Sequence, residues 1–272
     1  MNTFAALAAA LLITLPARAA DLPEAIRAAG TLHLSVNSTY APMEFHDPAT
    51  NELKGLDVDL AAALANKLSV GIAWADVPFD QLIPSLQTGR TDFIISGLSD
   101  RASRRDVMDF VDYLVTGPQF FALEGSPAKL ATDLCGAKVG TVRSTSFPIE
   151  IDKWSKANCE AVGKPAIQYV PGENSIDVRN QLKQGRIDAA VQGSETLPYA
   201  LSNEPGRYRI IGQPFALGYQ GIAFRKDATA LRDAVTSALD ALIADGTYAA
   251  ILAKWGLSAN AVPKSMLNAS PQ

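Results

Sequence analysis

An α/β fold in two similarly built halves with a ligand cleft between them is what the sequence predicts, on two observations. Short apolar runs of strand length alternate with segments of helical period, the pattern of layered α/β proteins. There is also an internal match. "VNSTYAPMEF" (36–45) lies over "VRSTSFPIEI" (142–151), and "SLQTGRTDFIISGLSD" (85–100) lies over "QLKQGRIDAAVQGSET" (181–196), in the same order. Turn residues common to all α/β units would produce some of this likeness. Either way, four strand ends run into polar, Ser/Thr/Gly-rich turns.

Taken in order, the first segment is "MNTFAALAAALLITLPARAA". An apolar run from Phe4 to Leu15, a helix-breaking Pro16 and the small-x-small Ala17-Arg18-Ala19 read as a signal peptide over 1–19. The run is too short to span a bilayer. No Lys or Arg precedes it, which leaves the true start codon open, and an N-terminal core helix is the bland alternative. Export places the mature chain in the periplasm, where Cys135 and Cys159, the only cysteines, read as a disulfide. Two separate buried thiols are the alternative. The histidines, His33 and His46, are too far from these cysteines in sequence to suggest a metal cluster, and no metal or other cofactor is expected.

"TLHLSV" reads as a strand. "LDVDLAAALANKL" reads as a helix, with Val58, Leu60, Leu64 and Leu68 near helical spacing. "DFIIS" is a short apolar strand of the kind buried in parallel sheets, and "KVGTV", "DAAVQ" and "QGIAF" follow as strands between helical stretches. Leu231, Val235, Leu239 and Leu242 form one apolar helix face that Gly246 ends. Tyr248, Ile251, Leu252 and Trp255 start another before Gly256. The tail, "LSANAVPKSMLNASPQ", is small and polar and is expected to be ragged. The formal net charge is −4 and no basic run is present, so nucleic acid is excluded as a partner.

In open α/β sheets ligands sit outside the carboxyl ends of strands, where helix N-termini offer free N–H groups and partial positive charge. "ISGLSDRASRR" (95–105) fits such a place. Ser96 and Ser99 offer hydroxyls, Gly97 lets a ligand approach the backbone, and an arginine a few residues on can fork both oxygens of a carboxylate. The turn is suited to a small carboxylate.

Gly55-Leu56-Asp57-Val58-Asp59-Leu60, "DQLIPSLQTGRTDFIISGLSDRASRR", "KVGTVRSTS", "GRIDAAVQ" and "ALIADGTYAAILAKWG" together resemble the periplasmic solute-binding proteins of polar amino-acid ABC transporters (bacterial extracellular solute-binding family 3), from about Asp21 to Gly256. The resemblance implies a two-lobed, type II periplasmic binding fold whose lobes, joined by two crossover strands, close on one solute for delivery to a membrane permease. It implies lobe 1 from 20–116 and 220–256, lobe 2 from 117–219, a tail over 257–272, and a monomer. The crossovers fall near Thr116–Pro118 and Pro214–Tyr219. Tyr40 stacks over the ligand; Ser96, Gly97, Leu98 and Ser99 flank its amino-acid backbone; Arg104 clamps its carboxylate. Val142, Thr145 and Ser146 come from the second lobe at a helix N-terminus. Arg101 and Arg105 face solvent or lobe-surface carboxylates.

Three positions depart from the family pattern. Gly193 stands where an aspartate usually grips the ligand ammonium, Leu56 replaces an aromatic wall, and Asn37 sits where binders of cationic amino acids often carry an acid. Either Glu195 or another acid substitutes, or the ligand amine is absent, substituted or differently placed. Arg143 meets a second anionic group or is a lobe-surface charge. Two other classes remain in view: a dehydratase-like enzyme on this scaffold, for which Glu195 is the one candidate acid, and a soluble sensor.

Overall fold

The structure is a computed structural model in which residues 22–271 are described; the expected signal peptide, 1–19, lies outside them. Helix α1 (Glu24–Ala29) leads to strands β1 (Thr31–Val36), β2 (Thr39–Tyr40), β3 (Glu44–His46) and β4 (Leu53–Lys54). Helix α2 (Leu56–Leu68), β5 (Gly71–Asp76), α3 (Phe79–Gln87), β6 (Phe93–Ile94), the single turn α4 (Ala102–Arg105) and β7 (Met108–Thr116) follow. The middle of the chain forms β8 (Pro118–Leu123), β9 (Lys138–Val142), α5 (Phe147–Asn158), β10 (Gln168–Gly172), α6 (Ser175–Lys183), β11 (Ala189–Gly193), α7 (Leu197–Asn203) and β12 (Tyr208–Ile211). The last stretch is β13 (Gly218–Arg225), α8 (Thr229–Ala244), α9 (Thr247–Lys254) and β14 (Ala261–Leu267).

These strands form a six-stranded sheet ordered β14-β7-β13-β6-β1-β5, a five-stranded sheet ordered β10-β9-β11-β8-β12, and a small β2-β3-β4 sheet. In the larger sheet β1 lies between parallel β5 and β6; in the smaller, β9 lies between parallel β10 and β11. An antiparallel strand that belongs to a crossover then flanks each parallel trio, β13 beside β6 and β8 beside β11. The internal sequence match is therefore two copies of one βαβαβ arrangement. The chain changes sheet between β7 and β8, at Gly117, and between β12 and β13. The two crossovers touch, Phe215 N–H donating to the Pro118 carbonyl at 2.9 Å.

Each sheet carries core on both faces, as helices on both sides require. In lobe 1, Leu56, Leu60 and Leu64 of α2 pack with Leu231, Val235 and Leu239 of α8 on one face, while Leu82 and Leu86 of α3 cover the other. Fully burying one such leucine is worth about 2 kcal/mol, so this stripe fixes α2 against the sheet. Val58 and Leu68, expected on it, sit at its margin, half-buried. In lobe 2, Phe147 and Ile151 of α5 cover one face, and Val178 and Leu182 of α6 the other. Cys135 and Cys159 form the disulfide, with Cα atoms 5.5 Å apart.

The tail differs from its expectation. Residues 261–267 form β14, an antiparallel edge strand on β7, and the segment after it is anchored. Asn268 Oδ1 accepts the Phe110 N–H at 2.8 Å and Ser270 Oγ accepts the Tyr219 N–H at 2.7 Å. Pro263 suits an edge, where a missing N–H costs no ladder bond. Composition alone concealed this, because small polar residues hydrogen-bond to a strand edge without any apolar alternation.

Candidate functional site

The carboxyl ends of β1, β6, β9 and β11 meet between the lobes, and their turns line a small cavity. Eight of the twelve expected contacts line it: Asn37, Tyr40, Gly97, Ser99 and Arg104 from one lobe, and Val142, Thr145 and Ser146 from the other. Phe79, at the start of α3, faces the same space, as do Asn174 and Gln192.

Arg104 lies on the short α4, and its Nη1 donates to the Ser99 carbonyl at 2.8 Å. Among the described residues no carboxylate lies within ion-pair distance of it. Burial, and then the like charge of Arg101, lower its pKa to about 10, so it remains a cation at neutral pH. Its remaining N–H donors are available to a ligand. Across the cavity, α5 begins at Ser146. Thr145 Oγ1 donates to the Val142 carbonyl at 2.8 Å and accepts the Phe147 N–H at 3.2 Å, which shapes the turn. Ser146 Oγ is buried without a hydrogen-bond partner. A helix N-terminus with an unengaged hydroxyl therefore faces a guanidinium, an arrangement that attracts an anion from both sides.

Four expected contacts are placed elsewhere. Ser96 is 1% exposed, and its hydroxyl accepts the Asn37 N–H at 2.9 Å and donates to Glu44 Oε1 at 3.0 Å. It holds the cleft floor from beneath. Leu98 packs in the α3 core, and Leu56 packs in the α2 stripe rather than forming a cleft wall. Phe79 is an aromatic on the cleft that sequence reading missed; its signal was an aromatic at a helix start just after a strand end, in "DVPFD". Gly193 lies behind the cavity wall. A Cβ there would overlap both the Glu195 carboxylate and the Tyr40 hydroxyl. Gly97, at φ +53°, has the Tyr40 ring where its Cβ would be.

Glu195 is 1% exposed and gathers three donors. Tyr40 Oη and Gln220 Nε2 each reach Oε1 at 2.7 Å, and the Thr116 hydroxyl reaches Oε2. Tyr40 Oη also accepts the Gly193 N–H at 3.2 Å. These bonds tie lobe 1 to lobe 2 directly behind the cavity. Burial pushes the Glu195 carboxyl up from its ordinary value. Glu44 and Asp57 lie nearby under the floor. Burial and the neighbouring Asp57 raise Glu44, and burial raises Asp57 to about 6 although Tyr113 Oη and the Gly97 N–H both donate to it.

The remaining arginines have structural partners. Arg101 pairs with Glu150 on α5 at 3.5 Å, a second link between lobes. Arg105 forks Asp100 with both bonds at 2.6 Å and reaches the Ser270 carbonyl. Arg143 pairs with Glu173 at 2.7 Å on the lobe surface.

The model of the bacterial extracellular solute-binding proteins, family 3, matches residues 32–258. An arginine-binding protein of Corynebacterium glutamicum is 28% identical over 93% of this chain and 83% of its own length. The lysine/arginine/ornithine-binding periplasmic protein of Escherichia coli is 30% identical over 89% of this chain and 92% of its own. Among solved structures, a mutant of ArgBP from T. maritima superposes with a TM-score of 0.76 at 31% identity, covering 85% of this chain and 97% of that one.

Proposed function

The chain belongs to the bacterial extracellular solute-binding proteins, family 3, and from that premise we propose that it is the periplasmic substrate-binding component of an ABC importer. It captures an amino acid or a related small carboxylated solute by lobe closure and delivers it to the cognate permease. The carrying observation is that Arg104 from one lobe and the α5 N-terminus from the other line a single cavity. Each lobe alone offers half of a carboxylate site, so binding favours the closed form. The relatives named above are binding proteins, not enzymes. Glu195, the acid an enzyme would need, has both oxygens engaged behind the cleft wall.

The test is a thermal-shift screen against amino acids, N-substituted amino acids and small carboxylates, followed by small-angle scattering with the hits. A ligand at 100 Kd adds roughly 2.7 kcal/mol to folding stability. A stabilising carboxylate that also sharpens the compact population supports the reading. A screen in which no carboxylate stabilises the protein contradicts it.

A further inference from the structure

The lining of the cavity narrows the class of solute, on the reading that a carboxylate sits between Arg104 and α5. Among the described residues lining this cavity none is an aspartate or glutamate, and Arg104 is the one charged side chain. The side-chain amide oxygens on the lining are already in use. Asn37 Oδ1 accepts the Thr39 hydroxyl while its Nδ2 donates to the Val77 carbonyl. Gln192 Oε1 accepts from Arg179, and the Ser99 carbonyl accepts from Arg104. What remains free is donor-rich: the Arg104 guanidinium, the Ser146 hydroxyl and the α5 N-terminus. Phe79, Val142, Phe147 and Val191 supply apolar wall.

The acids behind the wall are engaged there: Glu44 accepts the Ser96 hydroxyl, and Asp57 accepts the Gly97 N–H and the Tyr113 hydroxyl. Glu195 is saturated by Tyr40, Thr116 and Gln220, and together with the Tyr40 hydroxyl it fills the volume that a side chain at Gly193 would occupy. Asp76, Asp80 and Glu173 line an adjoining cavity that shares Asn37, Thr39, Phe79 and Asn174 with this one. Asp76 there accepts from Ser38 and His46, and Glu173 pairs with Arg143. An α-ammonium held beside a carboxylate at Arg104 would thus be desolvated with no lining carboxylate to pair it.

We infer that the solute is a carboxylate with a partly apolar body and no free α-ammonium, as in an N-acyl amino acid or a 2-oxo acid. The relatives named for arginine, lysine and ornithine would then differ from this chain in ligand charge, while sharing its fold.

The experiment is calorimetric titration of the wild-type protein with the common L-amino acids, each beside its N-acetyl and 2-oxo counterpart. The tightest binder is expected to be a counterpart without the free α-ammonium, at least tenfold tighter than its parent amino acid. A free amino acid as tightest binder overturns this inference and leaves the carboxylate-binding reading standing; no binding by any probe overturns both. A triple variant, Gly193→Asp with Glu195→Ala and Tyr40→Phe, clears both groups that a Cβ at 193 would meet and places a carboxylate there instead. It is expected to shift the preference at least tenfold toward the free amino acid, and an unshifted preference in a folded variant refutes the role assigned to the occupied Gly193 position.

Discussion

Replacing Glu195 by alanine and by glutamine separates two accounts of the bonds behind the cleft. Alanine removes the acceptor for Tyr40, Gln220 and Thr116, of which Gln220 is 1% and Thr116 6% exposed. Each orphaned buried donor costs about 1–3 kcal/mol. With water entering the vacated space to meet part of that cost, the expected loss is about 3 kcal/mol, or roughly 6–12 °C in Tm for a chain of this size. Glutamine keeps the shape and one carbonyl acceptor for Tyr40 and Gln220, and the Thr116 hydroxyl can turn to accept from its amide. Burial raises the Glu195 carboxyl from its ordinary value, so its neutral form is easier to reach in the folded state than in the unfolded one. Its neutral isostere is then expected to cost under about 1 kcal/mol. The sign with pH follows. A raised folded pKa gives stability that is full below the unfolded carboxyl value and is lost as pH rises through the folded one. Wild type is therefore expected to lose stability across that window and Glu195→Gln to lose less. Urea unfolding at pH 5 and pH 8 reads both effects. A glutamine variant as destabilised as alanine at pH 5 would refute the reasoning.

Three further outcomes are expected. Asp112, raised to about 8 chiefly by burial, with one carboxyl oxygen unpartnered and Asp100 beside it, destabilises the fold as pH rises from its unfolded value toward 8. Asp112→Asn, keeping an acceptor for the Ala269 N–H, should raise Tm at pH 8 and change it little at pH 4; a larger gain at the lower pH would contradict this. Cys135→Ser with Cys159→Ser opens a 24-residue separation in lobe 2 and should cost about 3 kcal/mol in urea unfolding, and an unchanged midpoint would contradict it. Truncation after Asn260 removes β14 and the ties to Phe110, Tyr219 and Arg105. At about 1 kcal/mol per hydrogen bond these three ties alone are worth about 3 kcal/mol, to which the β7 pairing and buried Val262 add, whereas a ragged tail would cost nothing.

What the sequence disclosed was chiefly local. α2 spans the residues read as a helix, and β1 and β9 the residues read as strands, because apolar period and turn residues act over a few positions. Leu56 shows where a motif misled. Its spacing from Leu60 and Leu64 places it on the buried helix face, whereas the family motif was taken to put it on the cleft. Glu195 was named as a substitute for the missing aspartate, yet its occupation by Thr116 and Gln220 depends on side chains 79 and 25 residues away. No local pattern encodes that meeting. The inter-lobe pairing of Arg101 with Glu150 was hidden for the same reason.

The central claim, a carboxylate held between the lobes by Arg104, is tested most directly by calorimetric titration of Arg104→Ala beside wild type with the tightest-binding carboxylate of the panel above. Removing the buried, charge-assisted fork should cost about 2–5 kcal/mol, which is a Kd raised roughly thirty-fold to several thousand-fold. Wild-type affinity in the folded variant would contradict the account.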